Sequence, residues 1–150
     1  MLKDKIGMIF GVANKRSIAW ACAQACAGQG AKMAFTYQGE RLKENVEELA
    51  GTLDGSLVVP CDVSDQAAVD AAFEAVKKKY GKLDFLVHSI AFAPQEALDG
   101  EFVTNSRADF RTALAIRAFS LTQVALADLP PMPTGGSTVT RLSSGTERGA

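Results

Sequence analysis

Apolar blocks and helical stripes alternate along this chain at a steady pace. Ile6-Gly7-Met8-Ile9-Phe10 is a continuous apolar run, the pattern of a strand covered on both faces. Residues 17–28 follow, with Ile18, Trp20, Cys22 and Cys26. Only Gln24 interrupts them, so they predict a buried helix that Gly28 or Gly30 ends. Ala31-Lys32-Met33-Ala34-Phe35-Thr36-Tyr37 predicts a second strand. Leu42, Val46 and Leu49 fall at i, i+4 and i+7, the mark of an amphipathic surface helix, and Gly51 and Gly55 bracket its exit. Leu57-Val58-Val59-Pro60 predicts a third strand. Ser64 stands at the cap of a helix whose stripe is Val69, Phe73 and Val76. Lys77-Lys78-Lys79 fill its last turn, where cations suit the negative end of the helix dipole. Residues 83–88 predict a fourth strand. Ser106-Arg107-Ala108-Asp109 is a capping box ahead of Phe110, Leu114, Leu121 and Val124 at helical spacing. Pro130, Pro131 and Pro133 then exclude helix, and residues 137–142 predict a fifth strand.

Strand and helix in strict alternation predict an α/β fold, with a parallel sheet, right-handed crossovers and helices on both faces. The expected sheet is Rossmann-like, five strands in the order 3-2-1-4-5. Ligands of such sheets bind at the carboxyl ends of the strands, where the strand order reverses. A length of 150 residues predicts one domain with one compact core. The net charge of −1 gives no bulk attraction to nucleic acid or to an acidic membrane. The triple lysine reads as a solvated helix end. No apolar run reaches membrane-spanning length, and Met1-Leu2-Lys3-Asp4-Lys5 leads straight into a strand. The expected setting is the cytoplasm. Cys22, Cys26 and Cys61 fit it: three thiols without framework spacing are expected to pack as small apolar groups. With His88 the only histidine, no metal site is expected.

The chemistry is therefore expected just after each strand. Gly11-Val12-Ala13-Asn14-Lys15-Arg16-Ser17-Ile18 follows the first. Gly11 permits a sharp turn, Ala13 lets backbone approach a diphosphate, and Ser17 can cap a helix whose N-terminus attracts phosphate. The turn lacks the Gly-Lys-Ser/Thr of a Walker loop and is not G-x-G-x-x-G, so an ordinary strand-to-helix loop remains an equal reading. Gln38 ends the second strand, where dinucleotide folds meet the adenosine ribose. It is neutral and can bond ribose hydroxyls. Glu40 stands between it and Arg41 and Lys43, leaving no clear clamp for a 2′-phosphate. NADH is favoured over NADPH on this ground. Asp62, after the third strand, reads equally as an acceptor for an adenine amino group and as a loop cap.

Four motifs in order make the reading more specific: Gly11-Val12-Ala13 with Ser17-Ile18-Ala19, Phe35-Thr36-Tyr37-Gln38, Pro60-Cys61-Asp62-Val63, and Leu86-Val87-His88-Ser89-Ile90-Ala91-Phe92-Ala93. Together they resemble the bacterial enoyl-ACP reductase family, the divergent branch of the short-chain dehydrogenases. The likeness is dense over residues 2–111. It implies NADH-dependent reduction of a trans-2-enoyl chain carried on acyl carrier protein, in fatty-acid synthesis. By position it implies Gly11, Ser17 and Ile18 at the pyrophosphate, Gln38 at the adenosine ribose, Asp62 and Val63 at the adenine, Ile90 along the cofactor, and Ala93 near the substrate carbonyl. His88 reads as structural, in a buried strand. Self-association stays open.

The resemblance weakens toward the end of the chain. Ala115-Ile116-Arg117 stands where the family has a polar Asp-Ile-Ser, and Ser143 stands where it has a tyrosine. A second tyrosine and a lysine expected beyond that are missing: the only tyrosines are Tyr37 and Tyr80, and no lysine follows Lys82. Hydride attack on an enoyl thioester pushes charge onto its oxygen, and a phenol and an ammonium stabilise it. The expectation is a sheet that stops before strands six and seven, a fifth strand left as an exposed edge, and a chain without catalytic residues, inactive by itself. The alternatives are a non-catalytic NAD-binding module and a fragment of an ordinary short-chain dehydrogenase.

Overall fold

The structure, a computed structural model, describes residues 1–99, 101–128, 130–133 and 135–141. Five parallel strands form one sheet in the order β3-β2-β1-β4-β5: β1 Ile6–Phe10, β2 Lys32–Tyr37, β3 Leu57–Pro60, β4 Phe85–His88 and β5 Ser137–Thr140. The parallel sense is that which the alternation predicts, and the order is that of the expected Rossmann-like sheet. Between them run α1 (Ile18–Gly28), α2 (Glu40–Gly51), α3 (Gln66–Tyr80), the single turn α4 (Gln95–Leu98), α5 (Arg107–Leu114) and α6 (Ser120–Asp128). β5 pairs with β4 alone, and Val139 on it is exposed, so it is an edge of the described sheet. Leu142 lies outside the described residues.

Strand alternation sends neighbouring side chains to opposite faces. Ile9, Met33 and Phe35 meet Ala19, Trp20 and Ala23 of α1 and Val46 and Ala50 of α2. Met8, Phe10 and Ala34 meet Val69, Phe73 and Val76 of α3 and Val124 of α6 on the other side. Both faces are covered, which explains why β1 is apolar at every position. Gly7 is small for a packing reason: a Cβ there would run into the Phe85 ring.

Several expectations need correction. α1 is not buried all round. Only Ala19, Trp20 and Ala23 are buried, Cys22 and Cys26 are half-buried, and Ile18 is 53% exposed, on the side of the helix that faces the cleft. The end of α1 is as expected: the helix stops at Gly28, and Gly30, just past the Gln29 cap, takes the positive φ. Asp65, not Ser64, caps α3, its carboxylate accepting from the Ala67 N–H at 2.9 Å. Lys79 is tied rather than loose, donating to the Ser56 carbonyl at 2.6 Å. The helix predicted from Phe110 to Val124 contains a π-helical stretch, Ala115–Phe119, between α5 and α6. Its capping box forms, with the Asp109 N–H donating to Ser106 Oγ at 3.1 Å. Yet Phe110 and Leu114 are 56% and 49% exposed, and of the predicted stripe only Val124 is buried.

Asp84, unremarked in the sequence, ties the amino ends of three strands. Its carboxylate accepts from the Ile6 N–H at 2.9 Å and pairs with Lys5 and Lys82 at 2.9 Å each. Its carbonyl accepts from the Ser137 N–H. Burial pulls its pKa upward, but Lys5, the Ile6 N–H and Lys82 outweigh that and hold it at about 2. A depressed carboxyl stabilises the fold above its unfolded pKa of about 3.9, and that stability is lost as pH falls toward 2. Replacing Asp84→Asn is expected to lower stability by about 1–2 kcal/mol at pH 7, after discounting for the half-exposed lysines, and to flatten the loss between pH 4 and 2. Urea melts across that range check it; an unchanged acid limb would contradict the assignment.

Candidate functional site

The carboxyl ends of β1, β2, β3 and β4 open into a cleft of 480 Å³. Gly11, Ser17, Ile18, Gln38, Asp62, Val63 and Ile90 all line it, so the structure gathers these sequence-selected residues into one place. Ala93 is half-buried and is not among the lining residues. Ser143 and its neighbours Ser144, Gly145 and Glu147 lie outside the described residues.

Gly11 makes the turn after β1. Its φ is +95°, and a Cβ there would overlap the Ser89 carbonyl oxygen, so the exits of β1 and β4 press together at this point. Asn14 shapes the next step, its Oδ1 accepting from the Arg16 N–H at 2.8 Å. Ser17 is not the side-chain cap expected of it: its hydroxyl donates back to the Asn14 carbonyl at 2.7 Å. The consequence is chemical. Trp20 and Ala21 donate to the Ser17 carbonyl, while the N–H groups of Ile18 and Ala19 have no acceptor among the described residues. Two free donors at the positive end of an 11-residue helix, with Ile18 and Ala19 both lining the cleft, suit an anion.

At the β2–β3 side, Gln38 Nε2 donates to Asp62 Oδ2 at 2.8 Å. Asp62 Oδ1 accepts from the Ser64 hydroxyl and N–H, so it does cap its loop while also facing the cleft. The Ser64 hydroxyl is the main influence holding the Asp62 carboxyl below its ordinary value; partial burial opposes it, and the Ser64 N–H and Gln38 assist. Asp62 is therefore an acceptor. Lys43 pairs with Glu40 at 3.4 Å, which leaves it engaged, as the sequence suggested. Cys61 is buried and its thiol is pushed up to about 12, mainly by burial, so it packs rather than reacts.

His88 is structural. It is 1% exposed, with Nε2 2.8 Å from Ser120 Oγ and Nδ1 3.3 Å from Thr140 Oγ1. Burial lowers its pKa. Of the two phenols, Tyr37 lines the cleft on its β2 side, while Tyr80 donates to the Gly55 carbonyl at 2.6 Å, away from it. Sequence reasoning missed Ser89 and Phe92, which the rule of strand carboxyl ends could have found. It also missed Ile116, brought in by the π-helical stretch, and Arg141, which directly follows β5 but lay inside the strand predicted over residues 137–142.

A doubly wound parallel sheet, a glycine turn feeding a helix with free N–H donors, and a hydrogen-bonded Gln38–Asp62 pair at the next strands are the features of a Rossmann-type fold. The family model described as enoyl-(acyl carrier protein) reductase matches residues 11–150, and the chain belongs to that family. It is 47% identical to the enoyl-acyl-carrier-protein reductase (NADH) FabI of Bacillus cereus over 150 residues, covering 99% of this chain and 59% of that protein. The crystal structure of the Anaplasma phagocytophilum reductase in complex with NAD superposes with a TM-score of 0.93 at 41% identity, over 99% of this chain and 57% of that one. The Bacillus cereus enzyme with NADP+ and an indole naphthyridinone gives a TM-score of 0.94 at 47% identity, again over 99% of this chain and 59% of the other. The chain thus spans a little over half the length of these relatives.

Proposed function

We propose that this chain carries the cofactor-binding half of an NADH-dependent enoyl-ACP reductase site, and that it binds NADH without reducing an enoyl thioester by itself. The observation that carries the reading is the pair of unpaired N–H donors, Ile18 and Ala19, above a glycine turn that only backbone can approach. They would hold a phosphate of the cofactor. Gln38 and Asp62 would meet the adenosine, Gln38 through ribose hydroxyls and Asp62 as acceptor for the adenine amino group. Val63 and Ile90 supply apolar walls. Ala93 would stand toward the substrate carbonyl. NADH supplies a hydride to the enoyl chain. The oxygen that gains charge then needs strong donors; Tyr37 lines the cleft on its β2 side and Tyr80 lies away from it. The trans-2-enoyl chain on acyl carrier protein is the proposed substrate of the whole reductase.

Three free thiols, and no helix among the described residues long and apolar enough to cross a membrane, support a reducing cytoplasmic setting. Fluorescence titration of the 150-residue chain with NADH is expected to saturate, while added crotonyl thioester leaves NADH absorbance constant. Absence of NADH binding would overturn the reading, and steady NADH oxidation would overturn its second half.

A further inference from the structure

The cleft is electrically asymmetric. Among the described lining residues Asp62, after β3, carries a negative charge and Arg141, after β5, a positive one. In the order β3-β2-β1-β4-β5 these strand ends are four spacings apart, roughly 19 Å. Backbone geometry sets the place of Arg141: its N–H donates to the His88 carbonyl at 3.0 Å and extends the β4–β5 ladder beyond Thr140. It therefore stands level with Ser89, the residue that presses on Gly11. Lys5, Lys43, Lys79 and Lys82 are all engaged. The Arg141 guanidinium has no hydrogen-bond or ion-pair partner among the described residues.

We propose that Arg141 is an anion contact of this cleft, binding the phosphate on the nicotinamide side of NADH. The inference rests on the NADH reading above. A dinucleotide places two phosphates in the crevice, and the free N–H groups of Ile18 and Ala19 can serve one of them. With adenosine on the Gln38–Asp62 side, the second phosphate and the nicotinamide nucleoside fall toward β4 and β5, where Arg141 is the one cation among the described lining residues. A guanidinium presents a planar fork of donors that matches phosphate oxygens two at a time.

Three probes separate the halves of the ligand: NADH, reduced nicotinamide mononucleotide and 5′-AMP, each titrated into the full chain, Arg141→Leu and Arg141→Lys. Arg141→Leu is expected to weaken NADH and the mononucleotide about tenfold, with AMP within about twofold, and Arg141→Lys to recover part of the loss. The gap should narrow as salt is raised. Equal weakening of AMP, or unchanged NADH and mononucleotide affinity, overturns the assignment. The two readings fail separately. A chain that binds the mononucleotide through Arg141 but not NADH or AMP refutes the dinucleotide reading alone. A chain that binds NADH equally well with leucine at 141 refutes the Arg141 contact alone. A chain that binds none of the three refutes both. Arg141 is exposed, so its variants should melt like the parent chain, which thermal unfolding verifies.

Discussion

Replacing Gly11→Ala is expected to abolish NADH binding and to lower stability by about 2–6 kcal/mol. Two costs combine. The φ of +95° is a conformation that L side chains rarely adopt, worth about 1–3 kcal/mol of strain. The added methyl would also overlap the Ser89 carbonyl, which is backbone and cannot rotate aside, for about another 1–3 kcal/mol. Relief requires the β1 and β4 exits to separate, and that moves the walls of the cleft and the entry to α1. Gly81→Ala is the control. Gly81 also has positive φ, +79°, but nothing stands within 4 Å of its missing side chain. Its expected cost is about 1–2 kcal/mol, with NADH binding retained. Urea unfolding and NADH titration of both variants check the pair. Equal losses would show that close approach at Gly11 is not what shapes the cleft.

Phe35→Ala is expected to cost about 3–5 kcal/mol, a large share of the stability of a domain this size. Phe35 is 0% exposed in the middle of the sheet, and its ring lies 5.9 Å from that of Trp20. Truncation leaves a cavity between β2, α1 and α2 that backbone cannot fill. Phe110→Ala, by contrast, is expected to change stability by about 0.5 kcal/mol or less, because Phe110 is 56% exposed. Both rings sit at positions whose local pattern marks them as core. A denaturation midpoint that falls as far for Phe110→Ala as for Phe35→Ala would mean that something covers α5 in solution, such as a second copy of the chain.

Much of the sheet and one side of the cleft were legible because their signals are local. The run Ile6-Gly7-Met8-Ile9-Phe10 announces a doubly covered strand, and the order of such runs with helical stripes dictates parallel crossovers. Gly11, Gln38, Asp62 and Ile90 could be named because each directly follows a strand in a fold whose ligands meet strand ends. Capping was less legible. Ser17 and Ser64 have the right chemistry for caps, but a hydroxyl two or three residues from a better acceptor turns to it: Ser17 to the Asn14 carbonyl, Ser64 to the Asp62 carboxylate. The free N–H groups of Ile18 and Ala19 follow from that local competition and could not be read from residue types.

Periodicity, composition and turn residues act over a few neighbours, and they were enough for the class of fold and for the strand-end residues that line much of the cleft. Only the tertiary structure showed which apolar stripes find a partner. Val124 meets α3 and is buried, while Phe110 and Leu114 on the preceding turns stay 56% and 49% exposed. Only it brought Arg141 beside Ser89 and Gly11, through the register of β5 on β4 and β4 on β1. The physical reason is the same in both cases. A side chain's pattern says what surface it offers, but burial and charge proximity depend on which distant segment arrives there.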